Sequence, residues 1–126
     1  MRFAKIVFWV AGIWGLAVLV PLYFFYDFIG KQDPPPLTHP QFYYGFVGVA
    51  LVWQVAFLMI ASNPVRFRPF MIVSVLEKAS FVLMLIALSL QVRLAWTQTI
   101  IGLPDAILGV LFAVSFWKVG QERART

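Results

Sequence analysis

The sequence has no cysteine and only one histidine, and both absences exclude classes of chemistry. Without thiols the chain forms no disulfide and offers neither a thiolate nucleophile nor a cysteine-ligated metal. One histidine cannot supply a multi-histidine metal or haem site within one chain, so we expect no cofactor. The Walker A loop, the dinucleotide fingerprint, the His-Glu-x-x-His helix and the nucleophile elbow are also missing, which argues against an ATP-driven pump or a hydrolase.

Charge is scarce as well, because charged residues make up 12% of the 126 positions and hydrophobic residues 62%. A soluble domain of this size leaves much of its surface in water, so it could not bury that much apolar area. The net charge of +5 is spread in short clusters between apolar runs. This pattern sets membrane topology. We therefore predict an integral membrane protein whose main partner is the lipid bilayer, with no role in nucleic-acid binding.

Four apolar segments have the length of about 20 residues that a helix needs to cross a bilayer. They cover approximately residues 4–26, 40–62, 70–91 and 100–119. Pro21 predicts a kink in the first segment, and the proline-rich link from Gly30 to Thr38 favours an extended path. The basic N-terminus resembles a signal peptide, but the apolar run is too long and no cleavage site follows it. The prediction is an all-α integral membrane four-helix bundle forming one domain.

The basic residues alternate in number between the two sides of these spans. Seven fall on one side, and only Lys31 and Arg93 fall on the other. The seven are Arg2, Lys5, Arg66, Arg68, Lys118, Arg123 and Arg125. Basic residues concentrate in cytoplasmic loops, so the pattern predicts that both termini are cytoplasmic.

Small residues recur on the predicted helices and indicate close helix packing. They include Gly12 and Gly15 in the first span, Gly45 and Gly48 in the second, and Gly102, Gly109 and Ala113 in the fourth. Small faces also let separate chains associate, which predicts a homo-oligomer or another membrane protein as partner.

A charged residue inside a span is costly and raises a functional hypothesis, and Glu77 is the first example. In one interpretation Glu77 is a proton-exchanging or ligand-anchoring carboxyl that shares a polar site with Gln54 and Ser115. In the other, Glu77 pairs with Arg66 or Arg68 at the cytoplasmic end while Lys78 extends its ammonium to the same surface. The sequence leaves both open.

Asp105 is the second acid within a span, and it also has two interpretations. It is a first-turn acid if the helix begins at Pro104, or a buried carboxyl if the helix begins near Ile100. On the same predicted side lie three more polar side chains, so we expect a candidate outer cluster. Its members are His39, Tyr43, Arg93 and Asp105. His39 precedes a proline at a helix start, where a capping role is the common alternative to ligand binding.

The chain is rich in aromatic side chains, and most are expected to contact lipid or pack against other helices. A binding site for an apolar molecule such as a quinone or a sterol, lined by Trp14, Trp53 and Phe57, is an alternative use.

The stretch from His39 to Glu77 begins His-Pro-Gln-Phe-Tyr-Tyr-Gly-Phe-Val-Gly and later contains Asn-Pro-Val-Arg. With Leu103–Phe112, it resembles small bacterial four-helix membrane proteins of the DoxX-like group. The shared pattern is a glycine pair in the second helix, an acid early in the third, and an acid early in the last helix followed by a glycine. The resemblance implies a bacterial inner-membrane bundle, often an accessory component.

Two functions therefore stand as hypotheses. The first is a non-enzymatic accessory or interaction module in the membrane, with lipid as a possible ligand. The second is a membrane-embedded binding protein or isomerase for an apolar small molecule, which would use intramembrane carboxyls. Proton or ion passage is a third alternative, and it would require the inner and outer polar residues to be connected by water.

Overall fold

The computed structural model describes residues 2–32, 34–35 and 38–125, and all secondary structure in this part of the chain is helical. The helices are α1 (Arg2–Leu19), which continues as a 3-10 helix (Val20–Phe24), α2 (Tyr26–Gln32), α3 (Pro40–Ser62), α4 (Arg68–Leu90), α5 (Trp96–Thr99), a second 3-10 helix (Ile100–Gly102) and α6 (Leu103–Arg125). The predicted all-α class is confirmed.

Four of the described helical segments are long and apolar enough to cross a membrane. They are Arg2–Phe24, Pro40–Ser62, Arg68–Leu90 and Trp96–Ala124. A helix of 23 residues is about 35 Å long, slightly more than the hydrocarbon core of a bilayer.

Pro21 interrupts the α-helix of the first segment. Proline lacks an N–H group and its ring collides with the preceding turn, so α1 ends at Leu19 and a 3-10 helix carries the chain to Phe24. The short helix α2 then occupies the start of the region for which an extended path was predicted. Positions 33, 36 and 37 of the proline-rich link lie outside the described residues.

The four long helices form two closely packed pairs. Helix α1 packs along α3, α4 packs along α6, and contacts between α1 and α6 join the two pairs. Helices α3 and α4 follow each other in sequence but touch only sparsely. Glycine makes the first pair close: a Cβ atom on Gly12 would lie 2.6 Å from Leu58, and one on Gly15 would overlap the side chain of Gln54.

Three phenylalanines from three helices form the centre of the core. Phe8, Phe57 and Phe112 are fully buried, with ring centroids 4.2 Å apart for Phe8 and Phe112 and 4.9 Å apart for Phe57 and Phe112. Rings at these distances combine apolar burial with favourable aromatic geometry. This cluster joins α1, α3 and α6, and α4 adds the fully buried Met71 to the same core.

Basic side chains connect neighbouring helices at one end of the bundle. Arg68 lies over the ring of Phe116 at 3.8 Å and donates a hydrogen bond of 2.9 Å to its carbonyl oxygen. Lys118 lies 4.4 Å from the ring of Phe3. The beginnings of α1 and α4 therefore meet the end of α6 through cation–π contacts.

At the opposite end, all four tyrosines of the chain lie in one cluster of contacting rings. Tyr26 and Tyr44 stack at 5.4 Å, and Tyr43 meets both of them edge-on. The hydroxyl of Tyr43 donates a 2.6 Å hydrogen bond to the carbonyl of Leu22, an oxygen next to the Pro21 break. Amphipathic rings favour the boundary between hydrocarbon and headgroups, so this cluster suits the end of a membrane span.

Candidate functional site

Three charged side chains meet in the middle of the helix pair α4–α6. The Lys78 ammonium donates a hydrogen bond of 3.0 Å to a carboxylate oxygen of Asp105, and it lies 3.8 Å from a carboxylate oxygen of Glu77. The Lys78 side chain is only 6% exposed, whereas those of Glu77 and Asp105 are 20% and 24% exposed. We call these three residues the charged triad.

The charged triad lies deep in the span rather than at its end. Lys78 is ten residues past Arg68, which corresponds to about 15 Å along α4 and so to about half the thickness of the hydrocarbon. The prediction that Lys78 extends to the surface is wrong. Its ammonium instead lies 5.2 Å from the ring of Phe57 and pairs with Asp105 on the neighbouring helix. This carboxylate offsets the positive charge of Lys78 inside the bundle, so the side chain does not extend to the surface.

The predicted pairing of Glu77 with an arginine is also absent from the described residues. Arg68 is engaged by Phe116, and the guanidinium of Arg66 lies 5.5 Å from the Phe67 ring. One carboxylate oxygen of Glu77 is buried and has no hydrogen-bond donor. Glu77 therefore depends on Lys78 for its electrostatic compensation, and it shares that lysine with Asp105.

Both interpretations of Asp105 hold in part. Asp105 lies in the first turn of α6, which begins at Leu103, where a carboxylate complements the helix dipole. Since α5 and the 3-10 helix precede α6 within the same apolar segment, this first turn lies inside the span rather than at its surface. The same carboxylate is consequently both a helix-start acid and a largely buried partner of Lys78.

A groove of about 340 Å³ runs beside the charged triad between α4 and α6. Lys78 and Asp105 are the only charged residues among those that line it. The remaining lining residues are apolar or small: Val75, Ala79, Val82, Leu83, Ala106, Gly109, Val110 and Ala113. Gly109 brings the helices close, because a Cβ atom there would lie 3.2 Å from the Cβ of Lys78. An apolar cleft with a few polar groups between helices is a common form of small-molecule site.

The predicted inner polar site does not assemble as one unit. Gln54 is 2% exposed and packs against Gly15 of α1, and its amide donates a 2.9 Å hydrogen bond to the carbonyl of Ala50. Its amide oxygen is buried without a hydrogen-bond donor. Ser115 donates to the carbonyl of Leu111 in its own helix. Gln54 and Ser115 therefore direct their hydrogen bonds along their own helices rather than to Glu77.

The three residues of the predicted aromatic site, Trp14, Trp53 and Phe57, differ in burial. Phe57 is fully buried in the core, with the Trp53 ring 6.2 Å away, whereas Trp14 is 50% exposed. Phe57 and Trp53 therefore pack together, and Trp14 faces outward.

The four members of the predicted outer cluster each have a different neighbour. The His39 ring lies 5.7 Å from that of Phe42, and His39 makes no side-chain cap at the start of α3. Tyr43 bonds to Leu22, Arg93 donates to Gln91 at 3.3 Å, and Asp105 bonds to Lys78. Of the predicted charged site residues, Glu77 and Asp105 come together, and Lys78, which was not among the predicted residues, connects the two.

The sequence contained no clear signal for this role of Lys78, because the contact with Asp105 depends on the register of α4 against α6. In the structure Gly109 lies beside Lys78 and Gly102 beside Leu85, which fixes that register. Among the described residues no group of three or more histidine, aspartate or glutamate side chains could hold a metal ion.

Comparison with protein-family models, with curated proteins and with solved structures gives no match to this chain. The resemblance to the DoxX-like group therefore stays a prediction.

Proposed function

We propose that this chain is a membrane-embedded binding protein for an apolar small molecule, and that the groove between α4 and α6 receives it. The observation that carries the proposal is the position of Lys78 and Asp105, which are two charged groups in an otherwise apolar cleft at mid-span. Apolar walls would supply affinity, and the few polar groups would orient the ligand. A volume of about 340 Å³ lies at the lower end of the range for ligand sites, which suits a single slender molecule.

Two features support binding rather than catalysis. The hydrogen bond to Lys78 holds Asp105 in one place, and Glu77 lies beside the same lysine. Both carboxylates thus lie against the Lys78 ammonium, an arrangement that suits groups held in place to orient a ligand.

A photoreactive probe tests this proposal. The protein in phosphatidylcholine nanodiscs would be irradiated with a dodecyl probe carrying a diazirine, and the labelled peptides would be mapped by mass spectrometry. We expect labelling of α4 and α6 that unlabelled dodecanol suppresses in a saturable manner. Ala113→Leu would fill the exposed part of the groove and reduce the suppressible labelling severalfold.

A matched substitution provides the control. Ala17 of α1 is exposed and does not line the groove. Ala17→Leu therefore adds the same side chain elsewhere and should leave the labelling unchanged. Labelling that no competitor suppresses, or that Ala113→Leu and Ala17→Leu affect equally, would mean that the groove holds only bulk lipid.

One observation favours a second candidate, an accessory module that binds another transmembrane helix. Ala106, Gly109 and Ala113 follow one another along the groove wall of α6 and would let a partner backbone approach. The partner would be a second copy or another membrane protein. Cysteine cross-linking through Ala113→Cys in a chain that has no native cysteine distinguishes this candidate, because helix docking predicts covalent dimers or adducts and small-molecule binding predicts neither.

We also propose that the protein lies in a bacterial inner membrane with both termini in the cytoplasm. The support is the excess of basic residues at one end, where Arg68 and Lys118 contact neighbouring helices.

A further inference from the structure

The charged triad contains two acids and only one base. Glu77 and Asp105 contribute two negative charges when ionised, and Lys78 contributes one positive charge, which leaves a formal balance of −1. The lysine lies closer to Asp105, at 3.0 Å, than to Glu77, at 3.8 Å. An excess charge this deep in a span is costly unless a counter-charge reaches it.

The surrounding helices do not bring that counter-charge. Helix α3 has no acidic or basic residue over its whole length, and α1 has none after Lys5. The nearest cations along α4 and α6 are Arg68, nine residues before Glu77, and Lys118, thirteen residues after Asp105. Both lie against aromatic rings at the end of the bundle.

From this balance we infer that the groove selects a lipophilic amine, which is an apolar chain with one protonated amino group. The inference rests on the proposed function and specifies its ligand. A single cationic group would bring the triad to neutrality, whereas a carboxylate ligand would bring it to −2. Charge-assisted hydrogen bonds are stronger than neutral ones, and the low dielectric of the hydrocarbon increases the difference.

The geometry assigns Asp105 as the group that the amine contacts. Asp105 lines the groove and its side chain is 24% exposed, while Lys78 behind it is 6% exposed. An incoming cation therefore meets the carboxylate before the ammonium. Glu77 does not line the groove, so its effect on the ligand is indirect. Its negative charge lies beside Lys78 and partly offsets the positive charge that otherwise neutralises Asp105.

A matched ligand series tests the charge preference. Dodecylamine, dodecanol and dodecanoic acid would compete with the diazirine probe in phosphatidylcholine nanodiscs, with each concentration corrected for the measured bilayer partition. We expect dodecylamine to compete at least about tenfold more effectively than dodecanol, and dodecanoic acid least effectively. If the alcohol matches the amine, or if the acid competes best, the inference is wrong although the groove still binds ligands. If none of the three competes, the proposed function itself fails.

Glu77→Gln tests the electrostatic cause, because it removes one negative charge without altering the groove lining. We expect the amine preference to fall to within about twofold of the alcohol, while the alcohol competes as before. Asp27→Asn is the matched control, since it removes an exposed acid outside α4 and α6 and should leave the tenfold preference intact. A preference that persists in Glu77→Gln, or disappears in Asp27→Asn, would overturn the charge account.

Discussion

The charged triad predicts a different change in the free energy of unfolding for the substitution of each of its three residues. Lys78→Met removes the only cation and leaves two acids with a formal charge of −2. Removing one partner of a buried ion pair costs about 3–5 kcal/mol. Since the two carboxylates are 20% and 24% exposed, we expect the lower end, about 3 kcal/mol.

The two acids should behave differently from the lysine and from each other. Asp105→Asn removes the ion pair that Lys78 of α4 makes with Asp105 of α6, but it leaves Lys78 beside Glu77. Polar contacts between membrane helices are worth about 0.6–1.7 kcal/mol, so a loss of about 1–2 kcal/mol is expected. Glu77→Gln leaves the 3.0 Å pair of Lys78 and Asp105 intact and neutralises the excess charge, so its stability should equal or exceed that of the wild type.

Unfolding by sodium dodecyl sulfate in mixed micelles, followed by circular dichroism, measures this order. Lys118→Met is the control for loss of a basic residue, because Lys118 is exposed and lies against the Phe3 ring at the end of the bundle. Its cost should stay below about 1 kcal/mol. Wild-type stability in Lys78→Met, or equal losses for Glu77→Gln and Lys78→Met, would refute the reasoning from charge balance.

Three further predictions concern packing, strain and topology. Gly12→Ala places a methyl group 2.6 Å from Leu58 and should destabilise the protein by about 1–3 kcal/mol, whereas Gly45→Ala meets no atom within 4 Å and should not, by the same unfolding assay. Val92 follows the end of α4 with a φ of 58°, a left-handed conformation that strains valine and suits glycine. Val92→Gly should therefore raise the free energy of unfolding by about 1 kcal/mol. An unchanged or lower free energy would show that Val92 is not strained. With Thr38→Cys and Ser62→Cys at opposite ends of α3, an impermeant maleimide should label only Thr38→Cys in intact cells, and the reverse pattern would invert the proposed orientation.

Much of the fold was predictable because the membrane limits the options. A chain with this much apolar surface and four long apolar runs has few alternatives to spanning helices, and the second run coincides with α3. The change to a 3-10 helix after Leu19 follows from Pro21, since proline cannot continue the α-helical hydrogen bonds. The pairing of α1 with α3 and of α4 with α6 was not predicted, because small residues indicate close packing without naming the partner helix.

The site was less predictable, for a reason that Lys78 illustrates. A lysine near a membrane surface lowers its energy by extending outward, and the sequence alone does not reveal whether a carboxylate lies within reach inside the bundle. That depends on the register of α4 against α6, which Gly109 and Gly102 set by their close approach to Lys78 and Leu85. Gln54 shows the same limit, because its depth was evident from the sequence but its contact with Gly15 was not.

The ion pair between Lys78 and Asp105 is not explained by stability alone. Burying two charges costs several kcal/mol in desolvation for each, and apolar side chains of similar volume often give equal or greater stability. The aromatic core beside the pair already holds α1, α3 and α6 together without charge. What the pair adds is a polar group fixed at mid-span on the wall of a groove, together with an acid that exceeds the available positive charge. A purely structural pair would be expected to be closed off, whereas the pair of Lys78 and Asp105 borders an open cleft and has a second acid, Glu77, beside it, which supports the proposed ligand site.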